Sequence, residues 1–195
     1  MAKRKNYKPL MALVALAAAA LVAATVTFTN VTYWLINATK PPAMKYPGTD
    51  TTVAGGQYVK VSYYYDSNRG INITRISIIG FTGDPTNYTS VIKVCNYYGT
   101  TPIQAQLVWR GPITTTGYEQ YIKAFLVGPA VGTNIVGVGF VGSTTYSTAG
   151  PYTINQGQCI DIGAYVAIDP AIPSNLADGK TVLGQYQVDI VMSPQ

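Results

Sequence analysis

Residues 158–168 read QCIDIGAYVAI and alternate between two kinds of side chain. Aliphatic residues occupy every second position, while the positions between them are polar, small or aromatic. Since successive side chains of a strand point to opposite faces, this pattern predicts a strand with one face packed on a core. The predicted core face consists of Ile160, Ile162, Ala164, Val166 and Ile168.

Comparable runs recur along the chain, bounded by Gly, Pro, Asn and Asp, and no long segment spaces its apolar residues as a helix would. The predicted strands span residues 25–37, 57–65, 71–81, 88–98, 103–109, 119–127, 134–141, 151–155, 158–168 and 182–192. We therefore expect an all-β protein, built as a two-layer, jelly-roll-like β-sandwich.

The chain begins with the three-part pattern of a secretory signal peptide. Positive charges come first, an uninterrupted apolar run over residues 10–24 follows, and Val22-Ala23-Ala24 offers small residues for cleavage. We expect a signal peptide over 1–24 and a secreted, extracellular product that meets a membrane only through this leader. An uncleaved anchor is the alternative, although the apolar run is shorter than the roughly 20 residues of a spanning helix.

The net charge of +5 originates in the leader, which carries Lys3, Arg4, Lys5 and Lys8. The rest of the chain has nine basic residues against eight acidic ones. Such a surface lacks the clustered cations that nucleic acid binding needs, so we expect no nucleic acid partner. Low net charge with high strand propensity favours self-association, and a glycosylated surface is a compatible alternative.

Export permits a disulfide, and the sequence has two cysteines, Cys95 and Cys159. We expect them to pair; two separate buried thiols are the alternative. Export also permits glycosylation at Asn-x-Ser/Thr sites. The candidate glycosylation sites are Asn30, Asn37, Asn72 and Asn87. Asn30 lies inside a predicted strand, where a glycan would obstruct a buried donor strand.

The chain has no histidine, which removes Ser-His-Asp and Cys-His systems and most zinc sites. Glu119 is the only glutamate, and the seven aspartates are scattered, mostly beside turn residues. A paired-carboxylate mechanism remains the alternative. We expect a protein that is not an enzyme and that uses no cofactor and no metal.

Residues 137–142 satisfy the nucleotide-binding pattern GxGxxG, and Asp161 follows at about the spacing of a ribose-binding acid. The following residues, STTYSTAGPY, cannot open the helix that this motif requires. Glycines inside a strand more often permit close backbone approach, so this strand is a candidate to flank a groove. Trp109 is expected to be a core or interface anchor.

The segment 25–37, TVTFTNVTYWLIN, has strong strand character and is followed at once by Pro41-Pro42. These prolines make a stiff spacer and disfavour a tight hairpin back onto the same sheet. An apolar strand held away from its domain needs a groove, which another copy can supply by donor-strand addition. The alternative is that the strand joins its own sandwich. Its expected anchors are Val26, Phe28, Tyr33, Trp34, Leu35 and Ile36.

The donor segment with its spacer, the central VIKVCNYYGTTPIQAQLVW, the late GQCIDIGAYVAI and the terminal GQYQVDIVM resemble archaeal bundling pilins, relatives of the TasA and camelysin biofilm-matrix proteins. The resemblance implies removal of the leader, a donor strand and spacer over 25–50, and a jelly-roll domain over 51–195. It also implies a homopolymeric cell-surface filament in which residues near 25–37 enter the next subunit, and bundles of such filaments in a biofilm. The family's disulfide transfers to Cys95 and Cys159.

Two other classes stay open at this point. A type IV pilin-like subunit would keep its N-terminal apolar segment as a long helix, whereas the alternating threonines of residues 25–32 favour a strand. A monomeric, membrane-anchored surface adhesin or carbohydrate-binding module is the second alternative.

Overall fold

The computed structural model describes Pro41, residues 43–68 and residues 70–194. The strands are β1 (Met44–Pro47), β2 (Val59–Asp66), β3 (Ile71–Ile78), β4 (Thr86–Cys95), β5 (Ile103–Thr114), β6 (Ile122–Gly128), β7 (Ala130–Val131), β8 (Asn134–Ile135), β9 (Val138–Val141), β10 (Thr144–Tyr146), β11 (Thr148–Ile154), β12 (Cys159–Ile168) and β13 (Gln185–Pro194). Short 3-10 turns occupy Thr49–Thr51, Val53–Gly56 and Glu119–Tyr121. Within this part of the chain, no helix has the length and apolar character needed to cross a membrane. The protein is all-β, as the sequence predicts.

The larger sheet has six strands in the order β1-β4-β12-β6-β9-β10, and its neighbours pair antiparallel. β12 lies in its middle, between β4 and β6. The alternation predicted for residues 158–168 is confirmed, because Ile162, Ala164, Val166 and Ile168 are buried while Asp161 is exposed. Ile160 is half-buried and packs against the same core.

The smaller sheet has three strands in the order β11-β5-β13. Its central strand β5 buries Ile103, Ala105 and Leu107 in the core that also holds Val94 and Ile162 of the larger sheet. Two antiparallel sheets therefore share one apolar core. Burial of these aliphatic side chains is the main favourable contribution to folding.

A separate hairpin, β2–β3, pairs Val59 with Ile78 at its base and Asp66 with Ile71 at its tip. Val59 is fully buried, and Val61 and Ile78 pack against the same core. Towards the tip, the side chains of residues 63–65 are exposed. The base of the hairpin thus belongs to the sandwich, while the tip projects from it.

The structure differs from the predicted strand 134–141, which is broken into β8 and β9. At Gly137 the chain passes so close to β6 that an added Cβ would lie 1.9 Å from the Val127 carbonyl oxygen. Gly139 has a φ of 136° and a similar approach to Phe125. Only glycine allows both features, and its presence breaks the regular alternation.

Residues 44–47, which the sequence places in the spacer, form edge strand β1 of the larger sheet. The predicted donor strand over 25–37 and its six anchors lie outside the described residues.

Candidate functional site

The predicted disulfide is present between Cys95 on β4 and Cys159 on β12. The two residues are direct cross-strand partners, with their Cα atoms 4.0 Å apart. Met44 of β1 pairs with Cys95 on the other side of β4, so the bridge lies where the first described strand joins the sheet. It ties β4, the strand on which β1 pairs, to β12.

Of the candidate glycosylation sites, Asn72 lies on β3 and Asn87 on β4, and both are exposed. Asn30 and Asn37 lie outside the described residues. An exposed asparagine in a sequon is sterically accessible to a glycan.

A polar cluster holds the chain where it leaves β1. The backbone N–H of Ser90 donates to the Asp50 carboxylate at 2.8 Å, and the Thr49 N–H donates to the Ser90 Oγ at 3.1 Å. The Ser90 hydroxyl in turn donates to the Asp161 carboxylate. Gly48 lies so close to Ser90 that an added Cβ would meet the Ser90 carbonyl oxygen at 2.0 Å. These contacts fix the start of the sandwich relative to β4.

An aromatic cluster clamps the beginning of β13 against the larger sheet. Tyr186 stacks on Trp109 and on Phe125, with ring centroids 5.3 and 5.5 Å apart respectively, and Phe140 lies 5.4 Å from Tyr186. Burial, reinforced by the charge of Glu119, raises the pKa of Tyr186. Trp109 is half-buried and packs against the core, as expected for an anchor.

Free strand edges are the feature of this fold that bears most directly on self-association, because an unpaired edge can add a strand from another chain. Several edges of the described residues are unsuitable for that. β1 has four residues and ends at Pro47, and β10 has three residues, all exposed. β11 is interrupted by Gly150-Pro151, where its register on β5 shifts. Short length, proline and irregular register all discourage strand addition.

β13 is different. It has ten residues, it pairs with β5 over its length, and among the described residues no strand pairs with its other edge. Its proline is confined to the last position, and Asp189 is its one charged residue. By length and composition it is the edge most open to a further strand.

Side-chain burial singles out the same edge. The inward residues Val188, Ile190 and Met192 of β13 pack against the core but are only half-buried. Ile103, Ala105 and Leu107 of neighbouring β5 are at most 1% exposed. This step in burial between adjacent strands is what a missing neighbour produces. The base of the hairpin, with Val61 and Ile78, contributes to the same core without joining β13 in a sheet.

We call the outer edge of β13, with its inward side chains Val188, Ile190 and Met192, the acceptor groove. The hairpin edges alone are a poorer platform, because towards the tip Tyr63, Tyr65 and Ile71 are exposed and no core lies beneath them. A strand added along the acceptor groove would cover half-buried aliphatic side chains and pair with backbone groups of β13.

The charge on β13 is compensated within its own sheet. The Asp189 carboxylate accepts hydrogen bonds from Gln187 Nε2 at 2.8 Å and from Arg110 Nε at 2.7 Å. These two bonds, from Gln187 first and Arg110 second, lower the pKa of Asp189. The edge therefore presents no uncompensated negative charge to an incoming strand.

The strand that carries the glycine motif of residues 137–142 has no free edge that could flank this groove. β9 lies between β6 and β10 and is paired on both sides. The glycines allow the chain to approach β6 closely, which is the structural role that the sequence predicts for them. Within the described residues, no three His, Cys, Asp or Glu side chains are grouped in a way that could hold a metal ion.

No protein-family model matches the chain, and a search of curated proteins finds no match. The features of this protein that bear on function are therefore the free strand edges of its fold and the patterns of its sequence.

Proposed function

We propose that the protein is the structural subunit of an extracellular filament in which residues 25–37 of one copy add as a strand to the acceptor groove of the next. The observation that carries the proposal is the ten-residue edge of β13, free of partners among the described residues, above an inward row that is only half-buried. The sandwich is jelly-roll-like in this proposal, and the filaments bundle at the cell surface, as the resemblance to bundling pilins implies.

The segment and the groove are complementary in chemistry. Residues 25–37 carry no charge and supply seven large or branched apolar side chains, six of them the expected anchors. The groove offers apolar side chains and a backbone edge that no strand of the described residues pairs with. Each large apolar side chain moved from water into the groove contributes roughly 1.5–3 kcal/mol. Four such anchors contribute on the order of 6–12 kcal/mol by that scale, within the range of the 4–15 kcal/mol cost of association.

The spacer supports exchange between copies. Residues 38–43 include Pro41-Pro42, which favour an extended chain of about 3.1 Å per residue. An extended spacer of six residues would span about 20 Å, which is long enough to let the segment reach a second copy. Occupation of the groove in the same copy is the competing arrangement, and it would give a monomer, consistent with a surface adhesin.

A deletion of residues 25–37 that keeps the leader and the spacer from Lys40 tests the proposal. The deleted subunit has an acceptor groove but no donor strand, so it should be secreted as a monomer that negative-stain imaging shows without filaments. Added to wild-type subunits during assembly, it should shorten filaments, since a copy that accepts without donating stops growth at one end.

The matched control is Thr25→Ser with Thr27→Ser, which keeps length and polarity and should assemble normally. Filaments formed by the deleted subunit, or a wild type that stays monomeric when secreted, would contradict the proposal.

A further inference from the structure

One row of residues crosses the larger sheet from β4 to β10. Direct cross-strand pairs join Asn87 of β4 to Tyr165 of β12, Tyr165 to Leu126 of β6, Leu126 to Gly139 of β9, and Gly139 to Tyr146 of β10. Because cross-strand partners project from the same face of a sheet, these five residues share one face. We call them the outer row.

The neighbouring residues show that the outer row points away from the core. Tyr88, Ala164 and Val138 are each next in the chain to a member of the outer row, and all three are buried in the core that the two sheets share. Successive residues of a strand point to opposite faces. The outer row therefore lies on the outward face of the larger sheet.

Beyond Asn87, the outer row is an uncharged surface. Tyr146 is 45% exposed, and Tyr165 and Leu126 are half-buried. Gly139 contributes no side chain, which leaves room between Leu126 and Tyr146. Contiguous apolar surface on a chain of low net charge marks a place where something else binds.

A modification site stands at the first position of this row. Asn87 opens the sequon Asn87-Tyr88-Thr89, and both Asn87 and Thr89 are exposed on β4. Tyr88 between them is buried, so the two polar members of the sequon point outward together. A glycan on Asn87 would therefore begin directly beside Tyr165.

Sugar and outer row are complementary in chemistry. A pyranose ring has a face of C–H groups and hydroxyls at its rim, so it packs on an apolar surface while its hydroxyls stay in water. Tyrosine offers a large apolar ring with a polar tip for such a contact. Paired strands lie about 4.8 Å apart, so Tyr146, four strands from Asn87, is about 19 Å away along the row. A short oligosaccharide spans that length.

We propose that Asn87 carries an N-linked glycan that lies across the outer row, with its first sugar on Tyr165 and the following sugars over Leu126 towards Tyr146. The sugar donor is a lipid-linked oligosaccharide of the secretory pathway. The Asn87 amide nitrogen displaces the lipid phosphate from C1 of the first sugar and loses one proton, so one N–C bond forms as one C–O bond breaks. The inference stands apart from the filament proposal, because it involves neither β13 nor residues 25–37.

The covered row has a consequence for self-association. An apolar sheet face that carries a glycan is closed to stacking with a second copy of the chain. Association between copies is then directed to the strand edges. A second copy is the competing occupant of the outer row.

The test uses the full chain secreted from a eukaryotic host, whose N-glycans begin with N-acetylglucosamine. Glycopeptide mass spectrometry should find Asn87 modified. Hydroxyl-radical footprinting then compares wild type with Asn87→Gln, and the glycan should lower the oxidation of Tyr165 and Leu126 severalfold. Asn72→Gln is the matched control, because it removes the sequon of β3 and should leave the oxidation of both residues unchanged.

Enzymatic trimming of the folded wild-type protein gives a graded measurement that needs no substitution. An endoglycosidase leaves a single N-acetylglucosamine on the asparagine, which should still shield Tyr165. Tyr146 lies at the far end of the outer row, so it should regain the oxidation that it shows in Asn87→Gln.

Three results would overturn the inference. The first is an unmodified Asn87 in the secreted protein. The second is a modified Asn87 with Tyr165 and Leu126 as reactive as in Asn87→Gln, which would mean that the glycan projects into solvent. The third is shielding of Tyr165 and Leu126 that rises with protein concentration and is the same with and without the glycan, which would make a second copy the occupant of the row.

Discussion

Cys95 and Cys159 face each other as direct partners of β4 and β12, so the disulfide joins two strands that are already paired in the sheet. The bridge closes a loop between two cysteines that are 64 residues apart in the sequence. In the chain-entropy account, its principal effect is to restrict the unfolded chain, which stabilises the fold by on the order of 4 kcal/mol.

Reduction of this disulfide should lower the free energy of unfolding by about that amount while the strand content stays unchanged. Denaturant titrations with and without reductant measure the difference, and a Cys95→Ser, Cys159→Ser variant controls for the reductant itself. Thiol labelling of the denatured, unreduced protein should find no free thiol. Two reactive thiols would contradict the bridge.

Leu107 should be among the most sensitive positions of the core. It is fully buried on β5, so Leu107→Ala should cost about 2–5 kcal/mol of stability through lost burial and the cavity left behind. Val191 on neighbouring β13 is 47% exposed, and Val191→Ala should stay within about 0.5 kcal/mol in the unassembled subunit. Denaturant unfolding of both variants gives the comparison; equal losses would mean that β5 is not the core of the small sheet.

Asp169 should make stability depend on pH in acid. Its carboxylate lies 2.6 Å from the Lys123 ammonium and accepts the Ala171 N–H, and these bonds, led by that from Lys123, lower the pKa of Asp169 below its ordinary 3.8. A carboxyl whose pKa is lower in the folded protein than in the unfolded chain stabilises the fold when the pH is above its unfolded-state pKa. This stabilisation is lost as the pH falls through the folded-state pKa.

The Tm of wild type should therefore exceed that of Asp169→Asn at pH 7, and the difference should shrink below about pH 3.8. Lys123→Met is the matched variant and should follow the same trend. A difference in Tm between wild type and Asp169→Asn that stays constant from pH 7 to pH 2 would show that the ionised Asp169 carboxylate does not contribute to stability.

Glycan should be found on at least one of Asn37, Asn72 and Asn87 in native material. Asn72 and Asn87 are exposed on β3 and β4, which leaves room for a sugar. The mass of the intact protein, measured by mass spectrometry, should exceed that of the mature polypeptide by the mass of sugar units. Asn→Gln replacements should remove these units one site at a time. A bare polypeptide mass would refute this prediction.

The sequence predicts where the strands of this fold lie along the chain better than it predicts which strands pair with one another. Alternation over residues 158–168 identifies β12 and its buried face because that information is local to the strand. The four residues of β1 are too few to show alternation, and they contain Pro47. The break between β8 and β9 depends on the approach of Gly137 to Val127, which is a contact between strands and leaves no periodic signal.

In the candidate site, too, the sequence predicts local features but not those that depend on the whole sheet. Residues 182–192 are predicted as a strand, yet nothing in them indicates that β13 lies at an edge, because edge position is a property of the whole sheet.

Hydrogen exchange of β13 tests the central claim most directly. The comparison is between assembled wild-type filaments and the full chain carrying Phe28→Asp and Trp34→Asp, which places charges in the donor strand and should stay monomeric. In an antiparallel pair only alternate amides donate to a given neighbour, so β13 in the monomer should have alternate amides unprotected. Those amides should become protected in filaments, while the edges of β1, β10 and β11 stay unchanged. Protection gained at another edge with β13 unchanged, or a wild-type monomer whose β13 is already protected, would contradict donor-strand exchange at this groove.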